Sequence, residues 1–191
     1  MEHDCWRGSK NISKPGRIAI VGYSHHRQTQ YKDHKGFTRQ ILNAVVDGSQ
    51  KGDSFYANVA NYFGATDHPE FWENTLFFNF IPECIGTTDK KYGIAGKTLH
   101  DAGRQRFSRI IQAEKPSKIF IFSTKAWREC PPTIEEARGE SCASLGADLG
   151  TASWGRYELD DRKVIAIGMR HPQFANKSQM MKAVEAASQL T

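Results

Sequence analysis

Four stretches of this chain place hydrogen-bonding side chains beside aromatic or backbone-bending residues: Gly-Tyr-Ser-His-His-Arg at 22–27, Phe-Asn-Phe-Ile-Pro-Glu at 78–83, Ser-Thr-Lys-Ala-Trp at 123–127 and Arg-His-Pro-Gln-Phe at 170–174. Recognition of a planar heterocycle needs polar groups for its edge and a flat surface for its face, and each stretch offers something of both. Taken singly, an Asn or His in such a place more often holds backbone groups than a ligand. Brought together, the four would make a ring-binding site. Other chemistries lack their signatures, since the sequence contains no G-x-x-x-x-G-K-[ST] phosphate loop, G-x-G-x-x-G fingerprint, H-E-x-x-H helix or G-x-S-x-G elbow. His25 and His26 are adjacent and point in different directions in most backbones, so a metal site built on both is not expected.

Each polar stretch follows a short apolar run, at residues 18–21, 76–78, 119–122 and 164–167. Runs of this kind read as strands buried on both faces. Between them, Phe37, Ile41, Leu42, Val45 and Val46 recur at helical spacing, as do Phe55, Val59, Tyr62 and Phe63, with Asp53 as a cap for the second helix. His68-Pro69 is expected to break the chain before the second strand. Leu99, Phe107, Ile110 and Ile111 predict a helix ending before Pro116, and Met180, Met181, Val184 and Ala187 predict one face of a closing helix. Strands alternating with helices favour a parallel sheet. A hairpin of residues 154–159 and 163–167 about Asp160-Asp161 would add an antiparallel strand. Ligands of open α/β sheets bind beyond the carboxyl ends of the strands, where the four polar stretches would converge.

The 191 residues, 39% hydrophobic, suffice for one core and are read as a single domain spanning 1–191. No apolar run is long enough for a membrane span, and the N-terminal residues lack the apolar core of a signal peptide, so the expectation is a cytoplasmic, monomeric protein without a membrane partner. Cys5, Cys84, Cys130 and Cys142 are scattered and lack close C-x-x-C pairs; reduced thiols are expected ahead of an iron–sulfur cluster. The formal charge of +5 suits a polyanionic partner without requiring one. Lys90, Lys91, Lys97, Arg104 and Arg106 cluster in a segment whose only acids are Asp89 and Asp101, which on charge alone reads first as a solvated face.

The order of these motifs resembles the uracil-DNA glycosylase superfamily from about residue 17 to residue 175: a first strand ending in a water-activating loop, a strand ending in a base-reading Asn and a late strand ending in His-Pro. The segments FWENTLFFNFIPE and KPSKIFIFSTKAW are similar to a poorly characterised branch of it. The resemblance implies an α/β fold, three-layer α/β/α around a central four-stranded, mainly parallel sheet. It also implies hydrolysis of an N-glycosidic bond in DNA, without metal or cofactor.

By that resemblance Asn79 would hydrogen-bond a flipped base and His171 would steady negative charge on the departing one. Phe174 lies next to the family's wedge position, and Tyr23 and Phe80 would line the base pocket. The first motif departs from the family, whose better-known branches carry Asp, Asn or Glu after the glycine where this chain has Tyr23 and Ser24. Ser24, His25, Glu83 or Asp101 could orient the water instead. His26 stands where uracil-specific members have a blocking Tyr; with Arg27 it would leave room and donors for a group on the pyrimidine 5-position. The superfamily includes a member that removes glucosylated hydroxymethylcytosine from phage DNA, and the departures here point toward such a modified base. Lys90, Lys91, Lys125, Arg128 and Arg170 would contact the DNA backbone. A module that binds DNA without hydrolysis and a uracil-repair enzyme are the alternatives.

Overall fold

Alternation along the central strands builds two cores at once, because successive side chains of a strand leave opposite faces of the sheet. Ala19 and Val21 face one core while Ile20 faces the other, Ile119 and Ile121 oppose Phe120, and Val164 and Ala166 oppose Ile165 and Ile167. Nearly every one of these side chains is fully enclosed. The computed structural model describes residues 4–10, 17–27, 35–49, 54–87, 93–131, 137–141, 152–159 and 162–190.

In chain order the elements are β1 (Trp6–Arg7), β2 (Ile18–Gly22), β3 (His26–Arg27), α1 (Phe37–Val46), α2 (Ser54–Tyr62), α3 (His68–Glu73), β4 (Leu76–Asn79), β5 (Gly86–Thr87), α4 (Lys97–Glu114), β6 (Lys118–Ile121), α5 (Thr124–Glu129), β7 (Ala137–Ser141), β8 (Ala152–Leu159), β9 (Arg162–Met169) and α6 (Lys177–Ser188). A mixed α/β architecture results. Seven strands form one sheet in the order β1-β4-β2-β6-β9-β8-β7. The inner four, β4, β2, β6 and β9, run parallel, whereas β1 at one edge and the β8 and β7 pair at the other are antiparallel. The expected hairpin is present as β8 and β9, and the short strands β1 and β7 enlarge the expected sheet.

Residues of α1, α2, α3 and α6 pack on one face, and α4 and α5 cover the other. On α6 the inward row is Met180, Ala183, Val184 and Ala187; Met181 lies outside it, more than a third exposed. Among the described residues three helices separate β2 from β4, one more than the apolar periodicity signals. His68-Pro69 does not break the chain: it opens α3, where Pro is tolerated because the first helical N–H groups have no intrahelical acceptor. Asp67 caps that helix by accepting the Glu70 N–H at 2.8 Å. Likewise the polar stretch after β6 is helical, α5, with the Ser123 hydroxyl accepting from the Ala126 N–H at 3.1 Å. The cap proposed at Asp53 lies outside the described residues.

Close contacts fix how the helices sit. Gly103 of α4 faces Phe80, whose ring atoms would lie 2.7 Å from any Cβ there, and Gly168 of β9 lies against the Trp127 indole of α5, 2.3 Å from where a Cβ would be. Replacing Gly168 by Ala forces one methyl group into a rigid ring system, and overpacking of this kind costs about 1–3 kcal/mol. Urea denaturation of Gly168→Ala should show a lower midpoint with an unchanged slope; an unchanged midpoint would show that α5 shifts without cost.

Candidate functional site

The carboxyl ends of the four parallel strands bring the polar stretches to one edge of the sheet. Gly22 pairs directly with Asn79 in register. The two chains keep running side by side beyond it: Phe80 N–H donates to the Gly22 carbonyl at 2.9 Å, Ile81 N–H to Tyr23 at 2.8 Å and Ile85 N–H to His25 at 3.2 Å. They then pair again as β3 and β5. The loop after β2 is thus braced by the loop after β4.

Asn79 is 4% exposed, and its side-chain nitrogen Nδ2 has no hydrogen-bond partner among the described residues. Its Oδ1 lies over Gly22, only 2.2 Å from where a Cβ on that residue would sit, so the glycine leaves the space that the amide occupies. From below, Arg106 of α4 donates through Nε to the Asn79 backbone carbonyl at 3.2 Å, and its guanidinium stacks 5.7 Å from the Phe78 ring centre. A buried amide donor without a partner typically costs about 1–3 kcal/mol. Such groups are rare in native folds, and each calls for an explanation such as strain, a catalytic role or a bound water or ligand.

His171 stands three strands away from Asn79 in sheet order, roughly 14 Å at about 4.8 Å per strand. It precedes a 3-10 turn, Pro172–Phe174, which it caps: the Gln173 N–H donates to Nδ1 at 3.3 Å. In the neutral ring that bond leaves the proton on Nε2. Burial pushes the imidazole pKa below its ordinary value. The ring therefore stays neutral, as a donor, at physiological pH.

Against the His171 ring lies a residue that sequence reading assigned only to a helix face. Phe55 of α2 is half-buried, with its ring 5.4 Å from His171, 6.1 Å from Phe77 and 6.4 Å from Phe122. It offers a flat apolar surface beside the strand ends. Phe80, expected in that role, is instead fully enclosed against Gly103 and Phe107 of α4 and is a core residue. Its position immediately after Asn79 turns it toward α4. Phe174 is 63% exposed, 5.9 Å from the His171 ring.

The loop after β2 divides its side chains between the two layers. Tyr23 turns toward α4, where its hydroxyl lies 2.9 Å from His100 Nε2 in that helix's first turn, and the Lys125 ammonium sits 4.8 Å from the Tyr23 ring centre. His25 turns toward α1: its Nε2 is 3.0 Å from the Thr38 hydroxyl, and its ring meets Phe37 edge-on at 5.0 Å. This anchors His25 to the α1 wall and does not favour the water-orienting role expected of it. Ser24 is half-buried between them. Asp101, the other candidate, is paired with Arg104 at 3.3 Å on the outer side of α4. No sequence signal singles out His100, because its partner is 77 positions away.

Of the proposed backbone contacts, Arg128 and Arg170 are exposed and Lys125 half-buried. Arg104 is tied to Asp101 and Glu129, and Arg106 is 2% exposed, so the basic segment does not form one continuous solvated face. Lys90 and Lys91 lie outside the described residues, as do the side chains of His26 and Arg27, whose backbone forms β3. Among the described residues no three His, Cys, Asp or Glu side chains gather to hold a metal, and Cys84 packs on the opposite core from Cys5 and Cys130. No described helix is long and apolar enough to cross a membrane. No protein-family model and no curated protein matches this chain.

The lowered pKa of His171 sets a sign for pH dependence. Above about pH 6.5, the ordinary histidine value, the ring is neutral in both folded and unfolded chains. As the pH falls below that value, the unfolded chain binds a proton that the folded one refuses, so stability falls. His171→Asn keeps a capping acceptor and removes the titration. Its loss of urea stability between pH 7 and 5.5 should be smaller than the parent's; an equal loss would mean that His171 titrates normally.

Proposed function

We propose that the protein is a DNA glycosylase of the uracil-DNA glycosylase type, hydrolysing the bond between a modified pyrimidine and its deoxyribose and leaving an abasic site. The observation that carries this reading is the buried Asn79 amide, unpartnered among the described residues, at the same sheet edge as a neutral His171 and a half-buried Phe55. The four parallel strands with helices on both faces agree with the three-layer layout of that superfamily.

The chemistry assigns each group a task. Breaking the C1′–N bond leaves an electron pair on the base and oxocarbenium character on the sugar, so donors aimed at the base stabilise the transition state more than the substrate. Neutral His171 supplies an Nε2–H for the developing negative charge without first giving up a proton. Asn79 Nδ2 is a donor suited to N3 of a cytosine ring, an acceptor where uracil N3 carries a proton. Phe55 provides the face for stacking, and exposed Phe174 fills the gap left by an extruded nucleotide. The Tyr23 and His100 pair replaces the missing carboxylate after Gly22. With Nε2 of His100 accepting from the Tyr23 hydroxyl, the phenol oxygen takes a proton from the attacking water as its own passes to the imidazole. No Lys occupies a matched nucleophile position, so a Schiff-base lyase step is not part of the scheme.

The preferred substrate is a pyrimidine enlarged at its 5-position, such as glucosylated hydroxymethylcytosine of phage DNA, in a role of defence. A pocket that hydrogen-bonds a required substituent rejects the unmodified base, because its polar groups then lose their partners. The missing carboxylate at Tyr23 and Ser24 favours a second reading, a DNA-binding module without hydrolysis.

Incubation with glucosylated phage DNA and with uracil-containing DNA, followed by alkali, counts abasic sites. The expected result is strand scission on the glucosylated DNA. Asn79→Ala and His171→Ala should each lower its rate on the order of 100- to 1,000-fold while circular dichroism is unchanged. Scission on uracil DNA alone would overturn the substrate assignment. Its absence on both DNAs, with binding retained, would establish the binding module.

A further inference from the structure

A concavity lies away from the strand ends. It has a volume of about 470 Å³ and is bounded by the lower half of α4, residues 4–7 around β1 and the start of α1. Its wall residues Arg106, Arg109 and Glu114 are six to fourteen positions beyond His100 on α4. At about 1.5 Å of rise per residue, Arg109 is roughly 14 Å down the helix from the strand-end crevice. The volume falls within the range of about 300–1,000 Å³ typical of small-molecule sites.

Charge distinguishes this cleft. Five of its ten lining residues are cationic, Arg7, Lys35, Arg39, Arg106 and Arg109, against two carboxylates, Asp4 and Glu114. Each carboxylate is shared between two cations. Asp4 lies 3.1 Å from Arg39 and 3.9 Å from Lys35, while Glu114 accepts from Arg7 and from Arg17 outside the cleft, both at 2.7 Å. Burial works against the Glu114 charge, but the hydrogen bond and charge of Arg7, with those of Arg17, outweigh it and hold the carboxyl below its ordinary pKa. Both local networks therefore keep an excess of positive charge. Arg106 at the floor is almost wholly buried, and Arg109 is exposed at the rim. A low-dielectric cleft lined by one sign of charge focuses its field and concentrates counter-ions.

We propose that this cleft is an anion site for a phosphate-bearing ligand, separate from the crevice that would take the base. Guanidinium groups match phosphate oxygens in bidentate fashion, and four of the five cations sit on secondary structure, Arg7 on β1, Arg39 on α1 and Arg106 and Arg109 on α4. The volume admits more than one phosphate group. Arg106 joins the two sites, since its Nε holds the Asn79 carbonyl while its guanidinium forms part of the cleft. The phosphate can belong to a free phosphorylated small molecule or to a DNA strand crossing this edge.

Calorimetric titration of the full chain with inorganic pyrophosphate at low ionic strength tests the site. One saturable event is expected, weakening as salt rises. Arg39→Gln with Arg109→Gln, both exposed, should reduce the affinity about tenfold or more. Asn79→Ala and His171→Ala should leave it unchanged. An absence of saturable binding, equal binding by the double variant, or binding lost on His171→Ala would each overturn the proposal. A single-stranded oligonucleotide separates the sources: reduced DNA affinity in the double variant identifies the DNA backbone as the ligand, and unchanged DNA affinity identifies a free phosphorylated molecule. Either result, alongside reduced pyrophosphate affinity, upholds the cleft as the anion site.

Discussion

The registration of Gly22 against Asn79 is the constraint on which the rest of the site depends. Parallel pairing of β2 and β4 sets these two residues side by side, and only the absent side chain of Gly22 leaves room for the Asn79 amide oxygen. The amide nitrogen is then enclosed without a partner. That arrangement costs about 1–3 kcal/mol, which packing elsewhere must offset. Arg106 on one side and the continued pairing of residues 22–25 with 80–85 on the other prevent the strand end from relaxing toward solvent.

The two layers contribute differently to the strand-end edge of the sheet. On the side of α1 and α2, a chain of aromatic contacts runs from Trp72 through Tyr56, Phe77 and Phe55 to His171, so the imidazole is held against a packed wall and remains neutral. On the α4 side the contacts are polar: Tyr23 with His100, Lys125 over the Tyr23 ring, Arg104 between Asp101 and Glu129. An apolar wall suits the face of a base. A polar one suits water and the charged sugar-phosphate. The division follows from the strand alternation that builds the two cores.

Legibility in the sequence followed sequence distance. The four central strands, the hairpin of β8 and β9, and the amphipathic helices were readable because each depends on neighbours within a few residues. Asn79 and His171 were readable as strand-end residues for the same reason. His68-Pro69 misled because a proline marks a helix start as readily as a break, and the Asp67 cap decided between them. The short strands β1, β3 and β5 carry too few residues for periodicity to register. Phe80 was assigned to the base pocket and Arg106 to a solvated face, yet both are buried, and Phe55 was read only as part of a helix face, since whether an aromatic or basic side chain is core or surface depends on tertiary neighbours such as Gly103. The Tyr23 and His100 pair is invisible for the same reason.

The side-chain amide of Asn79 is the most direct reporter of this account. Its two Nδ2 protons can be followed by nitrogen-edited NMR as a duplex is added that carries a non-hydrolysable analogue of the 5-substituted cytosine nucleotide. If the unpartnered amide reads a flipped base, one proton should move strongly downfield on binding, as a hydrogen bond to the ring forms, and an unmodified duplex should leave both in place. Saturating binding of the modified duplex with both Asn79 amide protons unmoved would contradict the account.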